Sequence, residues 1–325
     1  MRKFLIFKTD RLGDLLNISP IISNIKKNDP NNDITLICSK YNSSIAKYYK
    51  KNLNFIIYKK PLIFFLIKNF KLIFNKKYDV VLQLDGKKHS YFISMLVGSC
   101  KKLCLQFIKN KKILGFLIKI KKPNLFVNLF FDFKEISYED YNHVNNKNFH
   151  YLTLYLKLLE KINIKIFSKN HNLPIKNVSV VSKFKENYVL LHIDKRWDSY
   201  SKNTIISLIE ILNEISKSNK IVISSNPGGS NTFKLITDNF ISNTNIELIH
   251  QPNLHDVLSL VYYSSTCISS HTGLIVHSAA AFKKNIIDVV PSEIFSELDR
   301  WIPFNINYKR LNIENLSHLK SSLKF

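Results

Sequence analysis

Three short runs hold side chains whose types and spacing can do chemistry. The first is Arg11-Leu12-Gly13-Asp14, a carboxylate that follows an apolar run and opens a helical pattern. There Asp14 is either a general base that deprotonates a hydroxyl nucleophile or the cap of its own helix. The second is Asp194-Lys195-Arg196-Trp197, directly after another apolar run. Its adjacent cations suit a diphosphate, Arg196 as a planar fork and Lys195 as a point charge. The alternative is a solvated basic turn with Trp197 in the core. The third is Ser269–Ala281 (SSHTGLIVHSAAA), which reads as strand, tight turn and helix. The first-turn N–H groups of such a helix bind an anion without charged side chains, which marks Thr272, Gly273 and Leu274. His271 and His277 fall on different sides of the turn with no acid or Cys beside them, so no metal is expected. His277 is either a hydrogen-bond donor to a ligand or a satisfied core histidine.

The elements that must position these runs alternate along the chain. Lys3–Lys8, Asp33–Ser39, Asn54–Tyr58 and Tyr78–Leu84 read as strands, with helical patterns over Leu15–Lys27 and Ser90–Val97. Tyr151–Ile162 is a helix between the halves. Strands then follow at Tyr188–Ile193, Ile221–Ser225, Cys267–Ser270 and Asn285–Val290, among helices at Lys202–Ser216, Asn231–Phe240, Leu254–Tyr263 and Leu274–Phe282. Such alternation predicts parallel sheets with helices on both faces. Two α/β lobes are expected, 1–168 and 183–325, with a polar linker over 169–182 and a C-terminal tail that returns to the first lobe. A ligand would lie in the cleft between them, at the carboxyl ends of the strands. Arg11, Gly13, Asp85, Gly86, Asn226 and Gly228 are expected to line it, and Gly229 and Gly273 also follow strands.

Composition narrows the partners. The 325 residues carry 48 Lys and Arg against 24 acids, a net charge of +24, with 45% hydrophobic and 22% charged residues. Those fractions suit a folded protein and exclude a disordered basic tail. Residues 1–165 hold 31 bases and 11 acids, residues 166–325 only 17 and 13, and Gly86–Phe131 has ten lysines and no acid. AT-rich coding drift accounts for such a bias, and so does an anionic partner: nucleic acid, lipid head groups or phosphorylated substrate. No helix-turn-helix, RNA-recognition or zinc-finger signature is present, so nucleic acid is not expected. Cys38, Cys100, Cys104 and Cys267 form no disulfide framework, and Cys100-x3-Cys104 has no matching pair for zinc. The Met1–Thr9 run is too short for a signal peptide, and Phe55–Phe74 is interrupted by Lys59, Lys60, Lys68 and Lys71. A cytoplasmic protein is expected. The basic-apolar stretch Lys51–Lys122 suits peripheral contact with the anionic inner face of the cytoplasmic membrane. The fingerprint G-x-G-x-x-G is absent from the first loop, which argues against a bound dinucleotide cofactor.

In this order the motifs resemble glycosyltransferase family 9, the ADP-heptose:lipopolysaccharide heptosyltransferases. The resemblance rests on Lys8–Pro20 (KTDRLGDLLNISP), Tyr78–Gly86 with Ser90, Lys195-Arg196-Trp197, Asn253–Leu260 and His271–Ala281. It implies a GT-B fold: two Rossmann-like lobes with a cleft between them, acceptor on the first and nucleotide-sugar donor on the second. It also implies inverting, metal-independent sugar transfer from a nucleoside-diphosphate sugar such as ADP-heptose to a lipopolysaccharide-type or other cell-surface glycan. Asp14 corresponds to the base, Lys195 to the donor-phosphate contact, and Thr272, Gly273 and His277 to the loop on the diphosphate and sugar. The sequence departs from the family in three places. The acid of the closing motif is replaced by His271 or, counting back from His277, by Thr272; Arg196 follows Lys195; and Asp198 follows Trp197 where Pro is usual. Loss of that acid implies either a different sugar or a member that binds without transfer.

Overall fold

The computed structural model describes residues 1–75, 77–113, 116–122, 127–138, 150–175, 178–226, 228, 230–240 and 243–323. The chain divides into two units: Met1–Lys169 with Asp299–Trp301, and Asn170–Leu298 with Ile302–Phe325. The segment expected as a linker begins the second unit: Leu173 is buried and the His171 ring stacks on that of His277 at 4.9 Å. The tail beyond Trp301 also belongs to the second unit, and only Asp299–Trp301 returns to the first.

The first unit contains β1 (Lys3–Lys8), β2 (Asp33–Ser39), β3 (Asn54–Tyr58), β4 (Tyr78–Gln83), β5 (Ser99–Ile113), β6 (Phe116–Lys122) and β7 (Phe133–Tyr138). Its helices are α1 (Leu12–Leu16), α2 (Ser19–Asn28), α3 (Ser43–Ala46), α4 (Leu62–Lys68), α5 (Lys88–Leu96), α6 (Val127–Phe130) and α7 (Tyr151–Glu160). The strand order is β3-β2-β1-β4-β5-β6, and β7 also pairs with β5. Strands β1 to β5 are parallel, while β6 runs antiparallel on the far half of β5. One continuous helix is expected over Leu15–Lys27, but the chain breaks at Asn17–Ile18 and restarts with Pro20 in the first turn of α2. Proline lacks an N–H and its ring clashes with the preceding turn, so it is tolerated at a helix start and not inside one.

The second unit contains β8 (Tyr188–Ile193), β9 (Ile221–Ser225), β10 (Ile246–Ile249), β11 (Ser264–Ser269), β12 (Asn285–Val290) and β13 (Tyr308–Asn312). Its helices are α8 (Lys202–Ser216), α9 (Asn231–Phe240), α10 (Leu254–Tyr263), α11 (Gly273–Ala281), α12 (Phe295–Leu298) and α13 (Leu319–Ser322). The sheet is parallel throughout in the order β10-β9-β8-β11-β12-β13. Side-chain alternation splits its core in two. Val189, Leu191 and Ile193 pack with α8 and α9 on one face, and Tyr188 and Leu190 with α10 and α11 on the other. Helices α8 and α10 begin where a polar side chain accepts a first-turn N–H: Ser201 from Thr204 at 3.1 Å, and Asn253 from Asp256 at 3.0 Å.

Candidate functional site

In each unit the strand order reverses beside its first strand, between β1 and β4 and between β8 and β11. Loops at the carboxyl ends of two such strands diverge to opposite faces and leave a crevice, the general ligand position of open α/β sheets. All three chemistry-bearing runs emerge there: Thr9–Asp14 after β1, Asp194–Trp197 after β8, and Ser270–Gly273 after β11.

In the first unit, Asp14 is half-buried on α1 and one of its oxygens accepts the Arg11 N–H at 3.2 Å. Its other oxygen makes no hydrogen bond among the described residues, so the carboxylate caps its helix and still keeps one free acceptor. Beneath it Lys8 is buried, its Nζ donating to Asp10 at 2.9 Å, Tyr155 Oη at 3.0 Å and the Leu84 carbonyl at 3.1 Å. Burial works against that charge, but Asp10, Tyr155 and Asp14 outweigh it and hold the Lys8 pKa well above the ordinary value. The β1 and β4 loops are tied together by Asp85. It accepts the Thr9 N–H at 2.7 Å, Thr9 Oγ1 at 2.8 Å, Ser90 Oγ at 2.9 Å, Gln83 Nε2 at 2.9 Å and the Lys87 N–H at 3.0 Å. Burial, then the neighbouring Asp10 charge, pushes its pKa up. His89 reaches the same knot, 3.1 Å from Thr9 Oγ1 and stacked on Tyr58 at 4.0 Å, with burial lowering its pKa.

The second unit repeats the device. Asp194, the first residue after β8, accepts Thr272 Oγ1 at 2.7 Å, Ser270 Oγ at 3.0 Å, the Arg196 N–H at 2.9 Å and Arg196 Nη2 at 3.0 Å. Arg196 Nη1 donates to the carbonyls of Ser270 and His271 at 2.8 and 2.7 Å. Thr272 therefore spends its hydroxyl on Asp194 and does not cap α11, and the first-turn N–H groups of that helix keep no intrahelical acceptor. His271, at φ 56°, donates from Nδ1 to Asp288 at 2.5 Å. Asp288 is fully buried and also accepts Ser269 Oγ at 3.0 Å and Tyr308 Oη at 2.6 Å, so the imidazole is fixed through Nδ1 and Nε2 is its remaining polar atom.

Lys195 is exposed, and no carboxylate pairs with it among the described residues. It lines a cavity of about 690 Å³ with Asp198, Gly228, Ser230, Phe233, Lys234 and His250, in the size range of small-molecule sites. Gly228 sits at φ 95°, a conformation that L side chains rarely adopt, and a Cβ there would stand 4.0 Å from Lys195 Cε. Asp198 accepts Ser230 Oγ at 2.6 Å and the Thr232 N–H at 2.9 Å, capping α9 beside the cavity. Burial raises its pKa, but those hydrogen bonds outweigh it and the net shift is downward.

The structure sorts the expected residues. Lys195, Arg196, His271, Thr272, Gly273 and Leu274 gather around the β8 and β11 loops, with Gly228 at the cavity. Arg11, Gly13 and Asp14 lie on α1 or at its start. Asp85 does not line a surface: it is fully buried and committed to the loop knot. Gly86 is a packing glycine, since a Cβ would lie 3.3 Å from the Phe107 ring. Asn226 is held by His192 at 2.8 Å, and His277 is buried against His171. Gly229 lies outside the described residues. Among these residues no group of three or more His, Cys, Asp or Glu is placed to hold a metal. Sequence reasoning missed Lys8, Asp10, His89 and Asp288 as parts of the two sites. The signal for Lys8 and Asp288 was a charged residue at the carboxyl half of a β-rich run, where burial forces a partner.

No family model matches the chain, and no curated protein matches it by sequence. Solved structures do. Escherichia coli heptosyltransferase WaaC with ADP is 15% identical at a TM-score of 0.68, with 99% of this chain and 98% of that one covered. The same protein with ADP-2-deoxy-2-fluoro heptose is 16% identical at the same TM-score and coverage. A glycosyl transferase family 9 protein from Veillonella parvula is 13% identical, with 99% and 89% coverage and a TM-score of 0.70. The UDP-GlcNAc 2-epimerase of Methanocaldococcus jannaschii is 16% identical, with 100% and 92% coverage and a TM-score of 0.56. The chain thus has the GT-B fold of two Rossmann-like lobes.

Proposed function

We propose that this protein is an inverting glycosyltransferase that takes a sugar from a nucleoside-diphosphate donor held by its second unit. The observation that carries this reading is the unpaired Lys195 on a nucleotide-sized cavity, one residue from the Arg196 that braces the open N-terminus of α11. A diphosphate placed there meets a point charge and a helix N-terminus, both preorganised for the charge that grows on the leaving group. Asp14 is the base for the acceptor hydroxyl, its free oxygen being the acceptor of that proton. No metal is required by this scheme, because Lys195 and the α11 amides supply the stabilisation. The solved structures with ADP and an ADP-heptose analogue support a donor of this class. The acceptor is a lipopolysaccharide-type or other cell-surface glycan met at the cytoplasmic face of the membrane.

His271 distinguishes the donor. With Nδ1 committed to Asp288, Nε2 presents a lone pair when the ring is neutral and an N–H when it is charged. A carboxylate would offer two accepting oxygens where the ring offers one nitrogen, so a donor sugar gripped by an acid through two hydroxyls fits less well here. A thermal-shift screen against ADP-, UDP-, GDP- and CMP-linked sugars identifies the donor, because a ligand of the folded state raises Tm. NMR of the product anomer then reads the stereochemistry. Retention of configuration, or epimerisation of the free nucleotide-sugar, would remove the inverting-transferase reading.

A further inference from the structure

We infer that α4 and the π-helical turn after it, Lys71–Asn75, form the element that seats this protein on an anionic lipid bilayer. The helix is apolar on two faces. Phe65 and Ile73 are buried in the core against β1, β2 and β4, with Leu62 and Leu66 packed beside them. On the other side Ile63, Phe64, Ile67 and Phe70 are 53–67% exposed, and Phe74 continues the row. The Phe70 and Phe74 rings meet at 4.8 Å, tilted by 35°, so the outward apolar row is continuous from α4 into the turn. A helix that is apolar all round lies in a protein interior or in lipid. Soluble monomers rarely present such contiguous apolar surface without a use for it.

Charge chooses the occupant. Lys59, Lys60, Lys68 and Lys71 flank the apolar row, and residues 34–78 carry ten lysines and no acid. A second copy of the chain would set these lysines against one another. Anionic head groups pair with them while the phenyl and isoleucine side chains enter the acyl boundary. Among the described residues no helix is long and apolar enough to cross a membrane, so this contact lies in the interface plane. The inference rests on the membrane-side part of the function proposed above, and its test reads lipid binding, so either can fail alone.

The test is co-sedimentation of the full chain with vesicles of phosphatidylcholine alone or mixed with phosphatidylglycerol. Wild-type protein is expected to bind the mixed vesicles, weakly or not at all the neutral ones, and to be released by salt. F64S/I67S changes two exposed side chains and is expected to bind about tenfold more weakly. K68E/K71E is expected to lose more than about tenfold, each charge near the surface counting roughly fivefold. Both should keep wild-type Tm and nucleotide binding. Binding indifferent to anionic lipid, binding unchanged in F64S/I67S, or a wild-type dimer that F64S/I67S dissociates would each overturn the inference.

Discussion

Asp14 gives one oxygen to the Arg11 N–H and keeps the other free, so its replacement tests the cap and the proposed base role with separable readouts. Asp14→Asn keeps an acceptor for the cap but cannot take a proton. Turnover should fall about 10²–10⁴-fold with Tm little changed. A variant with wild-type turnover would remove Asp14 from the mechanism. His271→Asp restores a carboxylate in the loop but sets it near the buried Asp288. It should lower kcat/KM on the native donor at least about tenfold, since two like charges at that distance cannot both be accommodated. Equal kcat/KM would show that the ring takes no part in donor choice. Asp14 and Lys195 were legible in the sequence because each is a charged residue just past an apolar run. The partners of His271 and Lys8 were not, because Asp288 and Tyr155 reach them from a strand and a helix whose neighbours only the sheet order fixes.

Each lobe closes its central crevice with a buried carboxylate. Asp85 ties the β4 loop to Thr9, and Asp194 ties the β8 loop to Ser270 and Thr272. Neither pairing is visible in sequence, where the partners stand far apart. Asp194→Ala strands Arg196 and two hydroxyls, and it should cost on the order of 3 kcal/mol in urea unfolding and abolish donor binding. Full stability would show that the loops hold without it. His192 is buried between Ser224 and Asn226, and burial lowers its pKa from the ordinary 6.5. The unfolded chain then binds the proton more tightly, so the stability of this sheet is full above about pH 6.5 and falls as the pH drops toward the folded value. His192→Asn should flatten that slope in urea titrations, and an unaltered slope would assign it to other groups. The strands with clean apolar runs were legible, β1 to β4, β8 and β9 among them. β5 to β7, β10 and β13 were not, because lysines interrupt β5 and β6 and the edge strand β13 (YKRLN) is polar.

At the scale of the whole molecule, the two lobes differ in charge and surface. The first carries the larger basic surplus and the exposed apolar row on α4, the second the cavity with its free lysine. Residues 1–165 hold 31 bases against 11 acids and residues 166–325 hold 17 against 13, so under the proposed function most of the surplus lies on the acceptor side. The two-lobed α/β plan was legible from alternation alone, and the scarcity of glycine helped, since Gly13, Gly86, Gly228 and Gly273 all fall in or beside loops at strand ends. The boundary was less so: polar composition over 169–182 hid a segment anchored by His171 and Leu173. The central claim is that Lys195 and the β8 and β11 loops hold a nucleoside diphosphate. Isothermal titration of ADP, UDP, GDP and CDP into wild-type, Lys195→Ala and Asp14→Ala protein tests it most directly. One nucleotide should bind at a single site in the wild type, about 10–150-fold more weakly in Lys195→Ala, and unchanged in Asp14→Ala. Wild-type affinity in Lys195→Ala, or no binding of any of the four, would contradict it.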